Sequence, residues 1–286
     1  SGKDHVDALF EKGMTWAARS NTAGYLTRGD RWLSLFHQLY PSMTYAIEAL
    51  CAQPKWIEDK QHKIFYASLS RLGVNRNIIR LARTLPYEFG GLGLFDLVIE
   101  TLGRRLHFLR QWWGTDTNVG RILYAGYEAF MKGHGLAGNV FSRNFKKLRP
   151  LSRPGFFRHT WELCHYYKVT FEILVDPMSQ SSRLGDEPFM EKVLRIDPPM
   201  TSTDLQSINT VRRYKKVYMF SDIFSVDGFT VHPMMTSSLE GYSRGEFPTE
   251  RPSSADFALW KVVLVALTSN RFVLPEPLPA LVSIPH

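Results

Sequence analysis

Residues 86–113 read PYEFGGLGLFDLVIETLGRRLHFLRQWW, with Pro86 and three glycines, Gly90, Gly91 and Gly93, directly ahead of an apolar-periodic run. Glycine tolerates positive φ and lets backbone approach backbone closely, so the spacing predicts a tight turn feeding a helix from about Leu94 to Trp113. Leu94, Leu97, Val98, Leu102, Leu106 and Leu109 recur at three- and four-residue steps along one face. Arg104, Arg105 and Arg110 read as lying off that face, which makes the helix amphipathic with a basic flank.

The same periodicity extends in both directions. Upstream, Val6, Phe10, Met14 and Ala17 mark a helix over Val6 to Arg19, and Asp30 is expected to cap a second one carrying Trp32, Leu35, Phe36 and Leu39. Pro41 signals a break or kink, a helical run follows from Ser42 to about Leu50, and Trp56, Ile57, Ile64, Phe65 and Leu69 form a stripe ending near Gly73. Downstream, helices are expected over 119–132, 157–167, 202–220 with Ser202 or Thr203 as cap, and 255–267; KVTFEILV from Lys168 alternates like a strand. The expected fold is mainly α: a helical region over 1–132, a basic linker or exposed loop containing Gly and Pro over 133–157, and a helical or α+β lobe over 158–286 with a Pro-rich tail.

At 286 residues, 44% hydrophobic and 13% aromatic, the chain can bury one sizeable core or two modest ones, folding is the default, and disorder is expected only locally. No stretch approaches the roughly 18 apolar residues of a membrane span, and SGKDHVDALFEKG has no signal-peptide core, so an intracellular location, nucleus or cytoplasm, is expected without a membrane partner. Two cysteines, Cys51 and Cys164, are too few for a disulfide framework or a four-thiolate metal site and read as buried reduced thiols.

The formal charge of +8 is unevenly spread: residues 60–170 hold 18 basic and 6 acidic side chains, a surplus of +12 that leaves −4 for the rest. That asymmetry points to a polyanion, nucleic acid first. Within 141–158, Arg143, Lys146, Lys147, Arg149, Arg153 and Arg158 alternate with Phe141, Phe145, Phe156 and Phe157. The segment reads either as a phosphate- and base-binding stretch or as a solvated loop anchored by its phenylalanines. Arg212, Arg213, Tyr214, Lys215 and Lys216 form a second cluster on a helix, for which a solvated face is the first reading.

Residues for catalysis are sparse. There is no Asp-Asp pair to hold two metal ions; Asp186-Glu187 suits a loop or helix start, and Glu58-Asp59 a solvent-facing helix surface. Asp222 and Asp227 in FSDIFSVDGF offer hard oxygen ligands for a cation or a hydrolytic site, although a strand-bounded turn accounts for them better. His159, Cys164 and His165 lack a partner cluster for zinc, and Gly90-Gly91-Leu92-Gly93 lacks the spacing and the Lys-Ser or Lys-Thr of a phosphate-binding loop.

In order, these features resemble the region that follows the palm in retrotransposon reverse transcriptases. Pro41, Ser42 and Tyr45 match a Pro-Ser-x-x-Tyr helix, Asn75-Arg76 an Asn-Arg turn, and Gly90, Gly91, Gly93 and Leu94 the turn opening the long thumb helix. Asn209, Arg212 or Arg213, Tyr214, Ser221, Asp222 and Ile223 continue the pattern, as do Pro248, Pro252 and Trp260. The resemblance implies a thumb-like helical bundle followed by a second lobe, in a noncatalytic fragment that clamps an RNA or RNA–DNA duplex. Its partner would be the finger and palm region of the same polyprotein. The aromatic-x-Asp-Asp hairpin is missing, so the chain alone is expected to be inactive, with no cofactor of its own and Mg2+ only in the missing palm. The residues expected to contact nucleic acid are Arg76, Arg104, Arg105, Arg143, Lys146, Lys147, Arg149, Arg212 and Arg213. The alternative is a domesticated helical protein–protein interaction module.

Overall fold

The structure, a computed structural model, describes residues 2–47, 52–173, 183, 185–238, 251–268 and 272–279; Cys51 and Pro248 lie outside them. The chain is mainly α-helical. Its helices are α1 Gly2–Thr22, α2 Arg28–Ser34, α3 Tyr40–Ile47, α4 Pro54–Ser68, α5 Arg80–Thr84, α6 Leu97–Trp112 and α7 Asn118–His134. There follow α8 Phe145–Leu148, α9 Phe156–Tyr167, α10 Phe189–Val193, α11 Ser202–Tyr214, α12 Pro233–Thr236 and α13 Ser254–Leu267. Two compact units form, one from residues 1–120 with 154–168, the other from 121–153 with 169–286.

In the first unit α1 packs along α4, which also contacts α6 and α9. A Cβ on Gly13 would lie 2.4 Å from Cδ1 of Ile64, so a glycine is what lets α1 and α4 approach. Met14, expected on the apolar stripe, is exposed; the buried stripe runs through Phe10 and Ala17 instead. The cap of α2 is Thr27, not Asp30: the Thr27 hydroxyl accepts from the Asp30 N–H, and the Asp30 carboxylate accepts from the Thr27 N–H in return. The break expected at Pro41 takes the form of a π turn over Leu35–Leu39, in which the Tyr40 N–H reaches back to Leu35 O.

The glycine turn is present and closed. Gly90 and Gly93 adopt φ of 76° and 59°, and a Cβ on Gly91 would fall 1.9 Å from Leu85 O. The N–H groups of Gly91, Leu92, Gly93 and Leu94 donate to the carbonyls of Pro86, Ala82, Leu85 and Arg83. Asp96 then caps α6, accepting from the N–H groups of Val98 and Ile99.

The second unit is organised around α11, capped by a reciprocal Thr201–Asp204 pair instead of Ser202 or Thr203. Its Arg212 is fully buried. Nε donates to Asn209 Oδ1 at 2.8 Å, Nη1 to Val217 O at 2.9 Å, and Nη2 to Lys132 O and Gly133 O, both at 2.8 Å. Asn209 Nδ2 in turn donates to Leu151 O and Gly133 O. Helical C-termini leave carbonyls without intrahelical donors, and here side chains of α11 satisfy those at the end of α7. α13 packs against α11, and the buried Trp260 donates its indole N–H to Met235 O.

Residues 133–157, expected as a basic linker or exposed loop, are largely folded, with α9 already under way at Phe156. Those up to 153 form 3-10 turns and α8, burying Val140, Phe141, Phe145, Leu148 and Leu151, because apolar residues recur often enough to fasten the segment to the second unit. Nor do residues 168–173 form a strand: Lys168 ends α9 with φ of 54°, and the Asn139 side chain holds Phe171 O. Among the described residues there is no sheet; extended pairing reduces to isolated bridges Pro188–Met219, Phe224–Val231 and Thr230–Val273.

Arg212→Ala removes four donated hydrogen bonds, two of them buried, and takes this donor from the Val217 carbonyl, so the second unit should lose about 3 kcal/mol or more. Arg212→Lys should recover little, because an ammonium cannot reproduce the planar fork. Urea midpoints within experimental error of the parent would refute the role assigned to this side chain.

Candidate nucleic-acid interface

The cations of the basic segment divide between the interior and the surface. Arg105 is 1% exposed: Nη1 donates to Phe156 O at 2.9 Å and to the Thr160 hydroxyl at 3.3 Å, and the guanidinium stacks on the Phe156 ring. It fastens α9 to α6, so the expected phosphate contact at Arg105 is corrected to an internal one. The expectation fails at Arg212 for the same reason, since its N–H groups are engaged by backbone carbonyls and Asn209 and burial pushes its pKa down to about 9.

Arg143 is half-buried and held by Glu191, whose carboxylate it meets at 2.7 Å, while also donating to Ala137 O. Arg104 pairs with Glu100 one turn away, a partly exposed contact that contributes little to stability. Burial lowers Arg213 to about 10, with Arg153 nearby as a like charge. Arg76 is exposed, bonded to the Ser70 hydroxyl and placed over the Tyr66 ring at 5.2 Å.

Lys146, Lys147 and Arg149 differ from all of these. They occupy one turn at α8, are exposed, and make no ion pair with any described residue. The buried Phe145 and Leu148 fix that turn, and the Asn144 side chain caps it by accepting from the Lys147 N–H. Three cations on a short, anchored turn can present charge to successive phosphates without first releasing an existing partner.

The other sequence features resolve as structural. Because the amides of the glycine turn donate to its own carbonyls, they offer no cradle for a phosphate; Gly90, Gly91 and Gly93 serve the turn. Burial raises the Asp222 carboxyl, which accepts from the N–H groups of Tyr218 and Met219. Asp227 accepts from Phe229 and Thr230 inside the turn closed by the Phe224–Val231 bridge. Among the described residues no three His, Cys, Asp or Glu side chains gather as a metal site. His159 bonds Ala52 O through Nε2, and burial pushes the Cys164 thiol up to about 12. No described helix is long and apolar enough to cross a membrane.

Charge patterning alone misses Arg80, which sits between Glu58 and Asp96 at 2.6 and 2.5 Å. Arg105, by contrast, is within reach of the helical period, falling three residues after Leu102 and four before Leu109 on the buried face.

The sequence matches no protein-family model, and no curated protein or solved structure matches it.

Two buried imidazoles make stability pH-dependent. Burial depresses His159 to about 4 and His134 to about 3, whereas in an unfolded chain each takes up a proton near pH 6.5. Between those values the unfolded chain binds more protons, so stability falls as pH drops from about 6.5 towards 4. His159→Gln should flatten part of that slope in thermal melts between pH 7 and 4.5; a slope identical to the parent's would mean that this imidazole is already charged when folded.

Proposed function

We propose that this chain is a noncatalytic nucleic-acid-binding fragment of a retroelement reverse transcriptase, acting in the nucleus or cytoplasm and holding an RNA or RNA–DNA duplex by its phosphates. The observation that carries the binding reading is the exposed turn of Lys146, Lys147 and Arg149, without ion-pair partners among the described residues and framed by buried apolar side chains. Arg76, Arg104 and Arg213 remain as secondary contacts. Assignment to a reverse transcriptase rests on the order of the motifs from Pro41 to Trp260. Fingers and palm would supply the metal-binding carboxylates, and with them Mg2+.

A second reading, a protein-interaction module, is favoured by a different feature: Ile79, Leu81, Tyr87 and Phe89, around α5 and the glycine turn, are all more than 60% exposed. Phosphate contacts release counterions and apolar contacts do not, so salt separates the two.

Binding of a B-form DNA duplex and of an RNA–DNA hybrid should weaken steeply as salt rises. Lys146→Ala/Lys147→Ala/Arg149→Ala should lower the log–log slope on DNA by about 0.9 per phosphate no longer neutralised, with little change in stability because exposed charges contribute within about half a kcal/mol each. Arg105 and Arg143 stay untouched in this variant, since their truncation would disturb the fold. Equal affinity of parent and triple variant across the salt series would remove this turn from the interface. Primer extension in magnesium by the chain alone would overturn the noncatalytic assignment.

A further inference from the structure

The first unit contains a cavity of about 340 Å³ beside the π turn, lined by the cations Lys12 and Arg19, the rings of Trp16 and Tyr25, and the polar side chains of Ser34 and Gln38 among others. No carboxylate lines it. Lys12 and Arg19 lie two turns apart along α1, are exposed and make no ion pair with a described residue. Between them, the Trp16 indole N–H donates to the Ser34 hydroxyl at 2.8 Å, and that hydroxyl donates to Gln38 Oε1 at 2.8 Å. This relay fixes the indole and leaves the Gln38 amide N–H groups without a partner among the described residues. Behind the wall, the buried Arg31 holds the carbonyls of Ser20 and Ala23, which keeps the end of α1 in place. Tyr25 is 86% exposed, which leaves its ring open to a stacking partner.

We propose that this cavity is a nucleotide seat: a base stacks on the aromatic side chains, the Gln38 amide donates to its edge, and Lys12 and Arg19 take the phosphate. An acidic peptide would use the two cations but has no need of a tyrosine and an indole on the same cavity. A purely apolar ligand would leave the cations unanswered. The volume falls within the range of small-ligand sites, roughly 300–1,000 Å³. Stacking a base on an aromatic ring and neutralising its phosphate are the two terms by which single-stranded nucleic acid is held, and the phosphate turn at α8 supplies only the second. The seat stands on its own observations and does not depend on the duplex reading.

The test is titration of the full chain with AMP, adenosine, inorganic phosphate and a short oligoadenylate, followed by calorimetry. AMP should bind more tightly than adenosine or phosphate. Binding of AMP alone assigns a free nucleotide, and binding of the oligoadenylate but not AMP assigns a nucleotide within an unpaired strand. Tyr25→Ala, at a position too exposed to matter for folding, should weaken binding about fivefold or more, as loss of base stacking does. Lys12→Ala/Arg19→Ala should bring AMP down to the affinity of adenosine, whereas the Lys146/Lys147/Arg149 triple variant should bind AMP like the parent. If neither AMP nor the oligoadenylate binds at millimolar concentration, or if Tyr25→Ala leaves binding unchanged, the seat does not exist.

Discussion

A guanidinium taken out of water needs oxygens for its N–H groups, and in this chain Arg212 finds four, two of them where a helix runs out of donors. The half-buried carbonyls of Lys132 and Gly133 lie in the last turn of α7, and Arg212 and Asn209 supply them with donors. The same pair of side chains holds Val217 beyond α11 and Leu151 beyond α8. Three separate pieces of backbone are therefore positioned by two residues one helical turn apart, and the apolar packing of α11 against α13 proceeds on that frame. The close approach also explains Gly135, since a Cβ there would lie 2.8 Å from the guanidinium carbon.

Much of the first unit is legible in the sequence because its signals are local. The helix expected from about Leu94 to Trp113 follows from its leucine spacing and is found over 97–112, its start set by the Asp96 cap, and the turn before it follows from three glycines. Gly91 is needed for a reason that a sequence can suggest but not measure, the Leu85 carbonyl where its Cβ would be. Caps are harder to place: Asp30 is the acid of a reciprocal pair whose cap is Thr27, and Ser202 follows the cap Thr201 by one residue, so in both helices the threonine just ahead is the one that matters. What neighbours in sequence do not reveal is which cations turn inward. Arg212 looks, in Arg212-Arg213-Tyr214-Lys215-Lys216, like a member of a charged face; only the carbonyls of residues nearly 80 positions away make it a core residue.

The basic surplus of residues 60–170 is thus a mixture. Arg105, and Arg80 between its two carboxylates, serve the architecture, and their charge is answered within the fold by ring faces, carbonyls or acids. The turn at α8 is the opposite case: apolar side chains hold its backbone, and its cations are left for solvent or for an anion. A net charge counted along a sequence measures both kinds alike. For recognition the second kind matters, because a cation already satisfied by backbone has no donor left to give a phosphate.

The order in which the chain supplies its first unit carries a consequence for its synthesis. The unit is built from residues 1–120 together with 154–168, so α9 arrives only after the ribosome has made a further stretch that belongs to the other unit. At roughly 5–20 residues per second, that delay lasts some seconds. Throughout it Arg105 has no Phe156 carbonyl and no Thr160 hydroxyl to receive its N–H groups, and the face of α6 that α9 covers stays wet. The nascent chain must hold an unfinished α-helical body while part of a second is translated, and for those seconds the face of α6 that α9 will cover is open to chaperones and to premature association.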